Sequence, residues 1–252
     1  MILAILQGRM SSTRLPDKVM RPILGQPMFL RQVERIRRSR MIDRLITATS
    51  VAPSDDLLES VCVQNGLPCF RGSLNDVLDR FYQAARPLKP EHIVRLTADC
   101  PLTDPSVIDD VIRFHIDGGF DYTSNCMEPT FPDGLDVEVF KADCLETAWK
   151  EAVMQSQREH VTLFIHQQPG RFKLGSFKNN VDLSGLRWTV DELADFELVT
   201  MIYESLYPNN PEFSSQDILR LLEERPELKV YNTRYARNEG LEKSLREDAP
   251  LK

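Results

Sequence analysis

Three cations, Arg9, Arg14 and Lys18, punctuate the polar stretch Gln7-Gly8-Arg9-Met10-Ser11-Ser12-Thr13-Arg14-Leu15-Pro16-Asp17-Lys18, which follows the apolar run Ile2-Leu3-Ala4-Ile5-Leu6. Gly8 and the hydroxyl residues Ser11, Ser12 and Thr13 lie between them. A polyphosphate needs this mixture: guanidinium forks, an ammonium, and backbone N–H groups in a concave turn. The stretch is neither a Gly-Lys-Ser/Thr phosphate loop nor a dinucleotide GxGxxG turn. On composition alone, a solvated polar loop is the competing account.

Two aspartates could complete such a site. Asp99 follows His92-Ile93-Val94-Arg95-Leu96, so it belongs at the carboxyl end of a strand, and Pro101 enforces an extended turn just beyond. Magnesium favours one or two carboxylates together with phosphate oxygens and water. Asp191 ends Leu186-Arg187-Trp188-Thr189-Val190 just before a strongly helical stretch. A turn or cap role competes for Asp99, and an N-cap role for Asp191. Asp104 reads as a helix cap, and Asp55-Asp56 as first-turn acids opposing a helix dipole. Arg35, Arg37, Arg38 and Arg40 read as a solvated basic helix face. His92, His115, His160 and His166 show no HExxH spacing, which argues against zinc.

The elements that must position these groups alternate. Strands are expected at 2–6, 44–49, 68–71, 92–96 and 121–124. Helices are expected from Pro27 (with Met28, Leu30, Val33 and Ile36 in register), at 55–62 capped by Ser54, at 75–85, and at 105–114. This βαβα order predicts an α/β fold, a mostly parallel central sheet with helices on both faces, binding ligands beyond the strand carboxyl ends. Further on come a loop over 127–135, a strand at 136–140, helices at 142–154 and 158–166, and strands at 172–177 and 187–190. Helices at 192–206 and 215–223 follow. Residues 1–230 read as one domain, and the charged, weakly patterned 231–252 as a partly mobile extension.

Bulk properties narrow the class. The 252 residues are 42% hydrophobic, enough for a sizeable core, and the net charge of -7 disfavours nucleic acid as a partner. The apolar start lacks a basic n-region, and no stretch approaches bilayer length. Five cysteines without a CxxC pair suggest free thiols. A cytoplasmic protein without membrane insertion is expected.

Gly8-Arg9-Met10-Ser11-Ser12-Thr13-Arg14-Leu15-Pro16-Asp17-Lys18 closely resembles the phosphate-binding signature of the CMP-sugar cytidylyltransferases. That group includes the CMP-KDO and CMP-sialic acid synthetases and the SpsF-type spore coat polysaccharide biosynthesis proteins. The SpsF-type branch fits best, since similarity continues through Asp76-Val77-Leu78-Asp79-Arg80-Phe81, Arg95-Leu96-Thr97-Ala98-Asp99-Cys100-Pro101-Leu102 and Arg158-Glu159-His160-Val161-Thr162. The resemblance implies a nucleotide-diphospho-sugar transferase (GT-A, Rossmann-like) fold and CMP transfer from CTP to a sugar with release of pyrophosphate. The sugar would be a nonulosonic-type acid used in surface polysaccharide.

By the same resemblance Arg9, Arg14 and Lys18 grip the triphosphate, with Gly8, Ser11 and Ser12 beside them. Gly8 stands where relatives often have alanine. Asp99 and Asp191 would hold Mg²⁺. Ser73 and Arg80 fall where relatives read cytosine, although Arg80 has a salt bridge to Asp76 or Asp79 as its alternative. Asn125, Asp136 and His160 fall on the sugar side, His160 having a purely structural alternative. A homodimer is implied. Another nucleotidyltransferase or a glycosyltransferase on this fold, and a silent nucleotide- or partner-binding relative, are the rival readings.

Overall fold

Leu3, Ala4, Ile5 and Leu6 are wholly buried because their strand, β1 (Ile2–Gln7), lies inside a seven-stranded sheet covered on both faces. The computed structural model describes residues 1–235, 237 and 239–250. After β1 come the small hairpin β2 (Pro22–Ile23) and β3 (Gln26–Pro27), α1 (Met28–Ile36), β4 (Arg44–Ser50), α2 (Asp56–Gln64) and β5 (Cys69–Gly72). Then follow α3 (Val77–Ala85), β6 (His92–Thr97), α4 (Pro105–Gly118), β7 (Tyr122–Ser124) and β8 (Glu138–Lys141). The chain continues through α5 (Ala142–Glu151), α6 (Gln155–Glu159), α7 (Leu163–His166), β9 (Leu174–Ser176), α8 (Leu193–Leu206), α9 (Ser215–Glu224) and α10 (Glu239–Arg246).

The sheet order is β5-β4-β1-β6-β8-β7-β9. β5, β4, β1 and β6 are mutually parallel, and β8 runs antiparallel to both β6 and β7. Side chains alternate between two cores, as strand geometry requires. Ala4, Leu6, Val94 and Leu96 pack with α1, α4, α8 and α9, whereas Leu3, Ile5 and Ile93 pack with α3, α5 and α7. The expected α/β architecture is therefore present. Among the described residues no helix is long and apolar enough to cross a membrane.

Five expectations are corrected. Residues 187–190 form no strand: they make an isolated bridge from Arg187 to Asp133, and loop carbonyls take their N–H groups. The helix expected over 158–166 breaks into α6 and α7 at Val161, whose φ of 55° is costly for a β-branched residue. Ser54 lies in a 3₁₀ turn and does not cap α2, and Asp55 turns its carboxylate away from the helix. Arg35 leaves the supposed solvated face: it is 1% exposed, its guanidinium 4.3 Å from the Phe213 ring centre and its Nε donating to Thr103 O at 2.6 Å.

Beneath the sheet, far from the ligand edge, His92 Nδ1 lies 3.1 Å from His115 Nε2, and His115 Nδ1 lies 3.0 Å from Thr123 Oγ1. Burial, with the neighbouring His92, brings the His115 pKa down to about 4 from 6.5. The folded state thus resists protonation, so its stability is complete above the unfolded pKa and falls as pH drops towards the folded one. Denaturant titrations should show a loss of about 2–3 kcal/mol between pH 7 and 4.5 from this group, a slope that His115→Gln abolishes.

Candidate active site

Register brings the loop cations and Asp99 together. Gln7 and Thr97 are partners at the ends of β1 and β6, and Ala98 N donates to Gln7 O at 2.8 Å. The two chains therefore leave the sheet side by side. Met10, Leu15 and Val19 anchor the phosphate-type loop in the core, at 6%, 4% and 1% exposure. Asp55 fastens its crest, accepting from Met10 N at 2.7 Å while also bound to Thr49 and Ser50. Gly8 allows the closest approach: a Cβ there would lie 2.9 Å from Ala98 Cβ.

Lys18 Nζ donates to Asp191 Oδ1 at 2.9 Å, to Val190 O at 2.8 Å and to Asp99 Oδ2 at 3.3 Å. Burial lowers the Lys18 pKa, but Asp99 and Asp191 outweigh it and hold the ammonium above the ordinary lysine value. Burial likewise pushes the Asp99 carboxyl up, and Lys18 with hydrogen bonds from Thr97 brings it down to about 2. Arg14 Nη2 lies 2.8 Å from Asp191 Oδ1.

Asp191 is placed without a strand. Trp188 N and Thr189 N both donate to Asp133 O, and Val190 N donates to Asp99 O at 2.7 Å. Gly134 admits this packing: with φ of 110°, a Cβ there would meet Thr189 N at 2.4 Å. The N-cap role falls to Glu192, whose capping box uses Asp195, so the Asp191 carboxylate is left to face Lys18 and Arg14. Arg187 steadies it from behind at 3.1 Å.

Two cavities meet here. One, of about 400 Å³, is lined by Gly8, Arg9, Ser11, Ser12 and Lys18 of the loop, together with Arg80. Arg80 makes no salt bridge with Asp76 or Asp79. Asp76 pairs with Arg158 at 2.6 Å, Asp79 accepts from Trp149 Nε1, and Arg80 Nε stays buried without a hydrogen-bond partner. Burial and the nearby Arg9 bring the Arg80 pKa down to about 10. Ser73 lies behind this wall, its Oγ accepting from Asp76 N at 3.0 Å.

The second cavity, of about 620 Å³, is lined by Asp133, Asp136, Glu138, Tyr122, Thr162 and Arg187 among others. Arg14, Arg95, Asp99, His160 and Asp191 line both and mark the junction. His160 ends α6 beside the strained Val161, where Thr162 N donates to His160 O across a three-residue turn at 2.5 Å. Burial and Arg95 lower the His160 pKa, so the ring is neutral, and its buried Nε2 has no partner. Asn125 is fully buried and clasps the loop through Leu135 O and Val137 N, away from the lining. Burial pushes the Cys100 and Cys126 thiols well up, which leaves them protonated.

Several lining residues went unread in the sequence. Arg95 pairs with Glu138, which also accepts from Tyr122 and Thr162. Behind the lining, Arg237 donates to Asp136 Oδ1 at 2.5 Å, and Glu239, which lines the larger cavity, lies 3.3 Å from Arg14. The visible signal was charge inside an apolar strand, as for Arg95 in His92-Ile93-Val94-Arg95-Leu96-Thr97. Among the described residues no group of three or more His, Cys, Asp or Glu could hold a metal ion alone. The pair Asp99 and Asp191 instead offers hard oxygen donors, which suits a magnesium ion that completes its shell with phosphate and water.

If the smaller cavity takes the nucleoside triphosphate that the sequence resemblance leads one to expect, trimming Arg80 to methionine should raise its Kd about tenfold or more, the scale of one charge-assisted hydrogen bond. Calorimetry on the folded variant checks this.

The family model described as cytidylyltransferase matches residues 3–243. The chain is 35% identical to the spore coat polysaccharide biosynthesis protein SpsF of Bacillus subtilis, over 90% of this chain and 95% of that one. A solved cytidylyltransferase from Leptospira borgpetersenii superposes with a TM-score of 0.86 at 30% identity, covering 90% of this chain and 96% of the other. A 3-deoxy-manno-octulosonate cytidylyltransferase of Anaeromyxobacter dehalogenans is 33% identical over 44% of this chain and 46% of its own.

Proposed function

The chain belongs to the cytidylyltransferase family, and on that premise we propose that it transfers CMP from CTP to a sugar hydroxyl for polysaccharide biosynthesis, releasing pyrophosphate. The observation that carries this is the junction: Arg14, Lys18, Asp99 and Asp191 converge where a cation-lined cavity opens into an acid-lined one.

In this reading the smaller cavity holds CTP. Arg9, Arg14 and Lys18 bind the triphosphate and stabilise the charge that develops on departing pyrophosphate, the usual source of rate in phosphoryl-type transfer. Ser11, Ser12 and the Gly8 backbone lie along the same phosphates, and Arg80 faces the nucleoside end. Asp99 and Asp191 would hold Mg²⁺, which when bound supplies a Lewis acid at the α-phosphate. The acceptor lies in the larger cavity with its hydroxyl at the junction. The attacking oxygen forms a bond to the α-phosphorus and loses its proton to solvent water, while the bond from that phosphorus to the α,β-bridging oxygen breaks and pyrophosphate departs. His160 is neutral, lines both cavities and has a buried Nε2 with no partner, so a turn of its ring would let that nitrogen accept the hydroxyl's hydrogen bond and aim it. The family resemblance suggests a nonulosonic-type sugar acid as acceptor, an expectation on which the larger cavity's own charges bear directly.

The test is pyrophosphate release on mixing the protein with Mg²⁺, each of the four NTPs and a sugar panel. Release with CTP alone among the nucleotides is expected. A glycosyltransferase would release none, and a silent relative would bind CTP without product.

A further inference from the structure

The charges facing the two cavities differ in sign. The nucleotide side presents Arg9, Arg14, Lys18, Arg80 and Arg95 against Asp99, Glu159 and Asp191. The acceptor side presents Asp99, Asp133, Asp136, Glu138, Asp191 and Glu239 against Arg14, Arg95 and Arg187. Each of those arginines is already engaged. Arg95 pairs with Glu138, Arg187 with Asp133 at 2.9 Å and Asp195 at 3.0 Å, and Arg14 with Asp191 at 2.8 Å. Arg237, which backs the wall from the C-terminal segment, donates through Nη2 to Asp136, and its buried Nε has no hydrogen-bond partner. Among the described residues no lysine lines the cavity, and its two histidines, His160 and His166, are kept neutral by burial.

We infer that the acceptor cavity takes a sugar whose body donates hydrogen bonds, an amino sugar or a neutral polyol, and selects against an acceptor carboxylate. The inference rests on the larger cavity being the acceptor site of the reading above. If Lys18 and a divalent ion are counted as neutralising Asp99 and Asp191, the acids Asp133, Asp136 and Glu138 still consume Arg187, Arg237 and Arg95. An entering carboxylate would find no free cation and would have to break a buried pair, leaving one charge uncompensated. An ammonium or a row of hydroxyls meets the opposite situation. Asp133 and Asp136 lie within reach of the same guanidinium, Arg237, at 3.9 and 2.5 Å, so an additional donor relieves their repulsion. Burial and the nearby Asp136 push the Asp133 carboxyl above the ordinary aspartate value, as such crowding requires.

The test uses probes that differ only in charge. The full chain, saturated with an α,β-methylene analogue of CTP and Mg²⁺, is titrated calorimetrically with N-acetylneuraminate and its methyl ester, and with 3-deoxy-manno-octulosonate and its methyl ester. Glucuronate, glucose and glucosamine form the second arm. Each ester should bind at least about tenfold tighter than its acid, and glucose or glucosamine tighter than glucuronate. Whether glucosamine exceeds glucose distinguishes an amino sugar from a neutral one. Asp136→Asn should narrow the ester-to-acid ratio about tenfold, with Asp133→Asn as the second variant should the first disturb Arg237. An acid that binds tighter than its ester overturns the inference, as does failure of every ester, amine and neutral probe to bind. Failure of the CTP analogue itself to bind would instead remove the cytidylyltransferase reading.

Discussion

Asp99→Asn should lower pyrophosphate release about a thousandfold while leaving the fold and CTP binding largely in place. The substitution is isosteric and keeps one carbonyl oxygen for Lys18, 3.3 Å away in the native site, but removes the charge. Asp99 stands at the end of β6 and faces both cavities, so its charge is present where the α-phosphate must sit in this reading. Steady-state rates with saturating CTP and acceptor, beside calorimetric CTP binding, separate lost chemistry from lost affinity. Retention of a tenth of native turnover would end the assignment. The pH profile gives a second check. Lys18 and Thr97, working against burial, hold the Asp99 pKa down to about 2, below its ordinary 3.8. The carboxylate therefore stays charged through mildly acidic solution, and the stability it contributes is lost only as pH falls through 3.8 towards 2. A decline of activity already complete at pH 5 would have to come from another group.

What was legible in the sequence is what depends on neighbours along the chain. Cations crowded onto a loop after an apolar strand marked a candidate phosphate site, and the structure does bring that loop beside Asp99, which follows its strand as the ligand-edge rule requires. The pairing of Gln7 with Thr97 needed only that both strands be central and parallel. The larger cavity was poorly legible because its pairs are distant in sequence. Arg95 and Glu138 are 43 residues apart, Arg187 and Asp133 are 54, and Arg237 and Asp136 are 101. No local pattern fixes such partners.

Misreadings had physical causes of the same kind. Trp188-Thr189-Val190 is apolar and β-prone, as a buried strand would be, yet carbonyls of Asp133 and Asp99 take its N–H groups in place of a sheet neighbour. Arg35 carries the charge of a surface residue, and only the later arrival of Phe213 and Thr103 O makes it a buried one. Asp55 was read through its own helix. Its partner is Met10, 45 residues earlier, so it fastens the loop after β1 and does not serve the helix dipole.

Lys18→Met should cost activity and stability through separable routes. The side chain is 11% exposed, and its ammonium is the bridge between Asp99 and Asp191. Removing it leaves two carboxylates facing one another with Arg14 on only one of them, a broken buried ion pair worth about 3–5 kcal/mol at most. Part exposure of Asp99 to solvent, at 30% of its side chain, pulls the expected loss towards the lower end of that range. A divalent ion should offset this, because it binds the folded variant's paired carboxylates and the unfolded chain presents no such pair. The thermal midpoint of Lys18→Met should therefore rise more on adding Mg²⁺ than that of the native protein, where the ammonium competes for the same oxygens. Turnover should remain at least about a hundredfold low at every Mg²⁺ concentration, since under the proposed mechanism no ion replaces the cation that meets the departing pyrophosphate. Lys18→Arg should fail to restore the rate, because a planar fork cannot reach Asp99, Asp191 and Val190 O with the compact geometry of an ammonium. Should Mg²⁺ restore stability and turnover together in Lys18→Met, the lysine is only a structural counter-ion, and the triphosphate role passes to Arg9 and Arg14 alone.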